Sequence, residues 1–117
     1  MERLKVGRAA DNDIILENLT VSRHHAEIVC RPDGLYEVSD IGSTVGTFVL
    51  NNGEWQQFSQ ATVTGDEQLS FGHQKATAGQ LVAAYEDLAR VTVPTAREMA
   101  PTAEGEPPQR AAGGGNR

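Results

Sequence analysis

Three short pairs in this chain, Gly7-Arg8, Ser22-Arg23 and Ser43-Thr44, place a basic or hydroxyl side chain beside a small or polar neighbour. These are the residue types that hold an oxyanion. Arginine offers a planar fork of donors matched to phosphate oxygens, and hydroxyls with loop amides complete the coordination. Other constellations carry less. Ser22, His25 and Asp40 have the composition of a nucleophilic triad, but no G-x-S-x-G turn surrounds Ser22, so hydrolysis is not expected. Gly42 to Thr47 (GSTVGT) has the glycines of a phosphate-cradling loop without the Lys that a Walker A motif needs. His24 and His25 are adjacent, so in a strand they point to opposite faces, and His73 has no evident partner ligand. No metal site and no cofactor are expected.

The elements that must position these residues read as strands. Gly, Asn and Asp punctuate the chain densely and the apolar stretches between them are short. In His25 to Arg31, Ala26, Ile28 and Cys30 share one face, and Pro32-Asp33-Gly34 turns the chain into Leu35 to Ser39, which predicts a hairpin. Thr47 to Leu50 and Glu54 to Phe58 form a second, across an Asn51-Asn52-Gly53 turn whose Asn-Gly step supplies positive φ angles. Gly65-Asp66 opens a further strand through Phe71. Leu81, Ala84, Tyr85 and Leu88 also fit a helical face, but Gln80 to Leu88 is assigned here to a strand. Many short strands at regular turn spacing predict an all-β sandwich of two sheets, with its loops gathered at the sheet ends.

At 117 residues the chain has room for one small domain and a tail. After about residue 90 the composition changes: Thr92 to Arg117 holds four of the five prolines, a Gly113-Gly114-Gly115 run and little apolar surface to offset the entropy of ordering. A domain over 1–90 and a disordered Pro/Gly/Ala-rich tail over 91–117 are expected. The net charge of −6 argues against extended contact with nucleic acid or anionic membrane, so an anion site must be a local pocket. The lone Cys30 excludes a disulfide framework, and no signal-like apolar stretch opens the chain, so the cytoplasm is the expected compartment.

Order and spacing sharpen the reading. The string Val6-Gly7-Arg8, Asn12-Asp13-Ile14, Val21-Ser22-Arg23-His24-His25-Ala26, Asp40-Ile41-Gly42-Ser43-Thr44-Val45-Gly46-Thr47 and Gly65-Asp66 resembles the forkhead-associated (FHA) domain from residue 5 to about 86. The resemblance implies a non-enzymatic β-sandwich that binds phosphothreonine peptides through loops at one end. It implies that Arg8 and Ser22 hold phosphate oxygens, with Arg23 and Thr44 reaching the same group. Ser43 and Val45 would contact the peptide, and Gly7, His25 and Gly46 would shape the site. His24 is given no role.

Two departures from the family pattern matter. Val45 stands where the family usually has an Asn that clamps the peptide backbone, and its side chain has no hydrogen-bonding atom, which leaves Asn51, Asn52 or a loop amide to substitute. Only six residues precede Gly7, so the family's additional leading strand is expected to be missing, with a sheet edge left for another chain or the tail. The implied function is a phosphothreonine-reading adaptor or regulator downstream of a Ser/Thr kinase. The alternative is a degenerate module that binds protein without phosphate. Thr95, followed three residues later by Glu98, is a further candidate ligand for the domain's own site.

Overall fold

A computed structural model describes residues 2–94. Ten strands and one helix follow in order: β1 (Arg3–Gly7), β2 (Ile14–Leu16), β3 (Ala26–Cys30), β4 (Tyr36–Asp40), β5 (Thr47–Asn51), β6 (Glu54–Phe58), β7 (Gln60–Val63), β8 (Gln68–Phe71), β9 (Gln74–Thr77), α1 (Ala78–Leu88) and β10 (Val91–Val93). The strands form two sheets, ordered β10-β2-β1-β3-β4-β7 and β6-β5-β8-β9. The expected sandwich is therefore present. Alternation decides which face is buried: in β1, Leu4 and Val6 enter the core while Arg3 and Lys5 stay in water. Antiparallel pairing sets Leu4 opposite Ile28 and Val6 opposite Ala26, and Val38, Leu69 and Phe71 complete the apolar layer between the sheets.

Both expected hairpins form. β3 pairs with β4 from Ala26–Asp40 to Cys30–Tyr36, and β5 pairs with β6 from Thr47–Phe58 to Asn51–Glu54. Asn52 and Gly53 adopt φ of 55° and 81°, the left-handed pair that the tight turn requires. No strand precedes β1 among the described residues.

Two expectations need correction. Gln80 to Leu88 lies in a helix, because Thr77 and Gln80 form a capping box: the Thr77 hydroxyl accepts the Gln80 amide at 3.1 Å, and the Gln80 side chain accepts the Thr77 amide at 3.2 Å. Ala78, Leu81 and Val82 are buried on one stripe, with Ala84 and Tyr85 packed against the same core. Leu88, which the sequence put on that face, is 63% exposed. The domain also runs past the expected boundary at 90. Val91, Thr92 and Val93 pair in parallel with Ile14, Ile15 and Leu16, and buried Val91 contributes to the core, so local composition understated what this segment buries. Thr95 and the remainder of the expected tail lie outside the described residues.

Candidate functional site

The three loops that carry the anion-binding pairs meet at one end of the sandwich. Arg8 to Asp13 leaves β1, Glu17 to His25 leads into β3, and Ile41 to Gly46 joins β4 to β5. The first two are laced by their backbones: the Arg8 amide donates to the Ser22 carbonyl at 3.0 Å and the Ala9 amide to the Arg23 carbonyl at 3.2 Å. Gly7 permits this approach, since a methyl group there would lie 2.1 Å from the Arg23 carbonyl oxygen. Arg8 is exposed, yet its Nε donates to the carbonyl of buried Val21 at 2.9 Å. One edge of the guanidinium thus fixes its direction, and the terminal nitrogens remain for an incoming oxyanion.

Ser22 joins the second loop to the third. Its hydroxyl oxygen accepts the Thr44 amide at 2.9 Å, and its own amide donates to His25 Nδ1 at 3.0 Å. His25 is fully buried, and its Nε2 lies 3.0 Å from the Gly46 carbonyl. These contacts define the tautomer: Nδ1 accepts, Nε2–H donates, and the ring is neutral. Burial pushes the His25 pKa below its ordinary value, against the opposing influence of the Gly46 carbonyl and the Asp40 charge. Phe71 meets the ring edge-on at 6.0 Å between centroids.

Asp40 shapes the third loop. One carboxylate oxygen accepts the Gly42 and Ser43 amides at 2.8 and 2.9 Å, and the other accepts the Thr47 hydroxyl at 2.8 Å as well as the Ser43 hydroxyl. Burial raises the Asp40 pKa, but the bonds from Ser43, Thr47 and Gly42 outweigh it and the net shift is downward. This wiring does not make a nucleophilic triad. His25 engages the Ser22 amide rather than its hydroxyl, and both Asp40 oxygens serve the loop.

Arg8, Ser22, Arg23 and Thr44 are brought together, with Arg23 and Thr44 exposed. Gly7, His25 and Gly46 lie directly beneath them, and Val45 is half-buried on the same wall. Ser43 also borders the site, although its hydroxyl is turned onto Asp40. Asn51 and Asn52 lie at the far end of β5 and cannot replace the Asn absent at position 45. His24 ties the first two loops at the rim, 3.0 Å from Asp11, and that bond holds the Asp11 carboxyl below its ordinary pKa.

Two further positioning residues, Asn12 and Asp40, lie among the motifs that carry the family resemblance. Asn12 is buried and donates through Nδ2 to the Ala9 carbonyl at 2.9 Å and the Arg23 carbonyl at 2.8 Å, clamping two loops at once. A polar side chain just ahead of Ile14-Ile15-Leu16 is the only local signal for it. Asp40 had a clearer one, since an Asp followed by Gly at the second position and Ser at the third is suited to accept both amides.

The sequence profile of the FHA domain matches residues 4–72, more than half of the chain. The chain belongs to the FHA-domain family. An oxoglutarate dehydrogenase inhibitor of Corynebacterium diphtheriae is 48% identical over 61 residues, covering 52% of this chain and 40% of that protein. The matched region is therefore well under half of that relative. Among solved structures, Mycobacterium tuberculosis EmbR in complex with a low-affinity phosphopeptide superposes with a TM-score of 0.54 at 30% identity, over 64% of this FHA chain and 19% of EmbR. A domain from a structural and functional study of phosphothreonine-dependent FHA interactions superposes with a TM-score of 0.56 at 25% identity, covering 64% of this chain and 73% of that one.

Proposed function

We propose that this FHA domain binds phosphothreonine-containing peptides and serves as a non-catalytic adaptor or regulator downstream of a Ser/Thr protein kinase. The observation that carries this reading is the join between Arg8, Ser22 and Thr44. Arg8 is steered through Nε, its amide is bonded to the Ser22 carbonyl, and the Ser22 hydroxyl is fixed against the Thr44 amide. A phosphate between them would take charge-assisted bonds from the Arg8 guanidinium, a bond from the Ser22 hydroxyl proton and added positive charge from Arg23. The Thr44 side chain would close the cup. Because the groups are braced before ligand arrives, little ordering entropy opposes binding.

His25 would maintain the cup without touching the ligand, Gly7 and Gly46 would permit its close packing, and Ser43 and Val45 would border the peptide. The ligand bound by EmbR and the phosphothreonine dependence of the second structural neighbour agree in chemistry with this arrangement. A phosphorylated Thr95 would be one such ligand if the chain can reach its own site, and a kinase or its substrate would be another.

Phosphatase treatment of the ligand is the direct test. Binding of a phosphothreonine peptide pool should disappear after dephosphorylation and weaken strongly in Ser22→Ala. Val45 motivates the second reading, a module that binds without phosphate. Binding that survives dephosphorylation would establish that alternative and remove the first.

A further inference from the structure

Resting on the phosphopeptide reading above, we propose that the carboxamide of Gln57 holds the backbone of the bound peptide beside Val45. A peptide whose phosphate lies among Arg8, Ser22 and Thr44 would cross the rim of that cup, and half-buried Val45 follows exposed Thr44 on it. Peptide N–H and C=O groups that lose water there need partners. Most of the nearby polar groups are already engaged. The Thr44 amide is bonded to Ser22, the Gly42 and Ser43 amides and the Ser43 hydroxyl to Asp40, and the Gly46 carbonyl accepts from both His25 and the Gly72 amide. Val45 has no polar side-chain atom to offer.

Gln57 supplies one from the adjacent strand. It sits opposite Phe48 in the β5–β6 pairing, at the end of the hairpin nearest the site, and is exposed. Its side chain folds over Gly46: a methyl group at residue 46 would lie 2.7 Å from Gln57 Nε2 and 3.1 Å from its Cδ. The glycine leaves room for the carboxamide in this position, which a side chain at residue 46 would displace. No hydrogen bond engages this carboxamide among the described residues. Asn51, by contrast, already donates to Gln56 and lies about 13 Å from Thr47 at the rise of an extended strand. A carboxamide carries both a donor and an acceptor, the pair needed to hold a peptide N–H and C=O.

The test uses a phosphothreonine peptide selected from a random library, together with versions N-methylated singly at each of the three amides after the phosphothreonine. Affinities are measured for the whole chain as wild type, Gln57→Ala, Val45→Asn and the double variant, with folding checked by circular dichroism. Gln57→Ala should weaken binding about fivefold to tenfold, and by less in the Val45→Asn background, where a second carboxamide is available. One N-methylated peptide should lose affinity for wild type and not for Gln57→Ala. Phosphate-dependent binding that Gln57→Ala leaves within about twofold of wild type would overturn this role alone. Absence of phosphate-dependent binding by wild type would overturn the proposed function with it.

Discussion

The Nδ1 atom of His25 accepts the Ser22 amide at 3.0 Å, so a buried ring in the core fixes the direction of a residue at the mouth of the site. The bond requires a neutral ring. Since burial lowers the folded-state pKa of His25, the unfolded chain protonates first as pH falls below the ordinary histidine value of 6.5. The stabilising contribution is complete above that value and is lost progressively on acidification, until the folded pKa is passed. Urea midpoints should fall from about pH 7.5 to about pH 5.5, and the decline should flatten in His25→Gln. An equal decline in that variant would show that other groups set the dependence.

Gly7→Ala should damage fold and site together. The added methyl would meet the Arg23 carbonyl at 2.1 Å and Asn12 Nδ2 at 2.9 Å, so the two loops must part. A stability loss of ~1–3 kcal/mol is expected, along with loss of phosphopeptide binding under conditions where the variant remains folded. Denaturant titration and peptide binding measured side by side would separate the two effects.

Asn12→Ala should cost ~1–3 kcal/mol, because it removes two side-chain bonds that join the loops, although the Ala9 and Arg23 carbonyls each keep one backbone donor. The Arg8 loop should then exchange its amide hydrogens faster than wild type, while the β3–β4 hairpin keeps its protection. Unchanged exchange in the Arg8 loop would mean that its backbone bonds to Ser22 and Arg23 suffice.

Ala89 closes α1 at φ 64°, a left-handed conformation that favours glycine, with its amide donating to the Tyr85 carbonyl. Ala89→Gly should therefore stabilise the domain by about 0.5–1 kcal/mol, read as a raised thermal midpoint. A lowered midpoint would show that the glycine's entropy in the unfolded chain outweighs the relief of strain.

The hairpins were legible because their determinants are local. An Asn-Gly step dictates its own turn, and alternation along Ala26 to Cys30 needs only one buried face. The segment 80–88 is ambiguous in the sequence because a short apolar run fits either period; the deciding feature is the reciprocal bond between Thr77 and Gln80 at its start. Val91 to Val93 was hidden for a different reason. Its partner β2 lies 77 residues earlier in the pairing of Val91 with Ile14, and no local pattern reports such a contact. In the site, residue types at Arg8, Ser22 and Thr44 could be read along the chain. Asn12 and Gln57 could not, since each matters through a neighbour in another element: Arg23 for one, Gly46 for the other.

Arg8 should grip the phosphate of the ligand through charge-assisted bonds. Calorimetric titration of a matched pair of peptides, one with phosphothreonine and one with threonine, into wild type, Arg8→Lys and Arg8→Ala tests it most directly. Wild type should bind only the phosphorylated peptide. Arg8→Lys, which keeps the charge but loses the fork and the Nε anchor to Val21, should bind at least about tenfold more weakly, and Arg8→Ala weaker still. Equal affinity of folded wild type and Arg8→Ala for the phosphorylated peptide would show that Arg8 does not hold the phosphate.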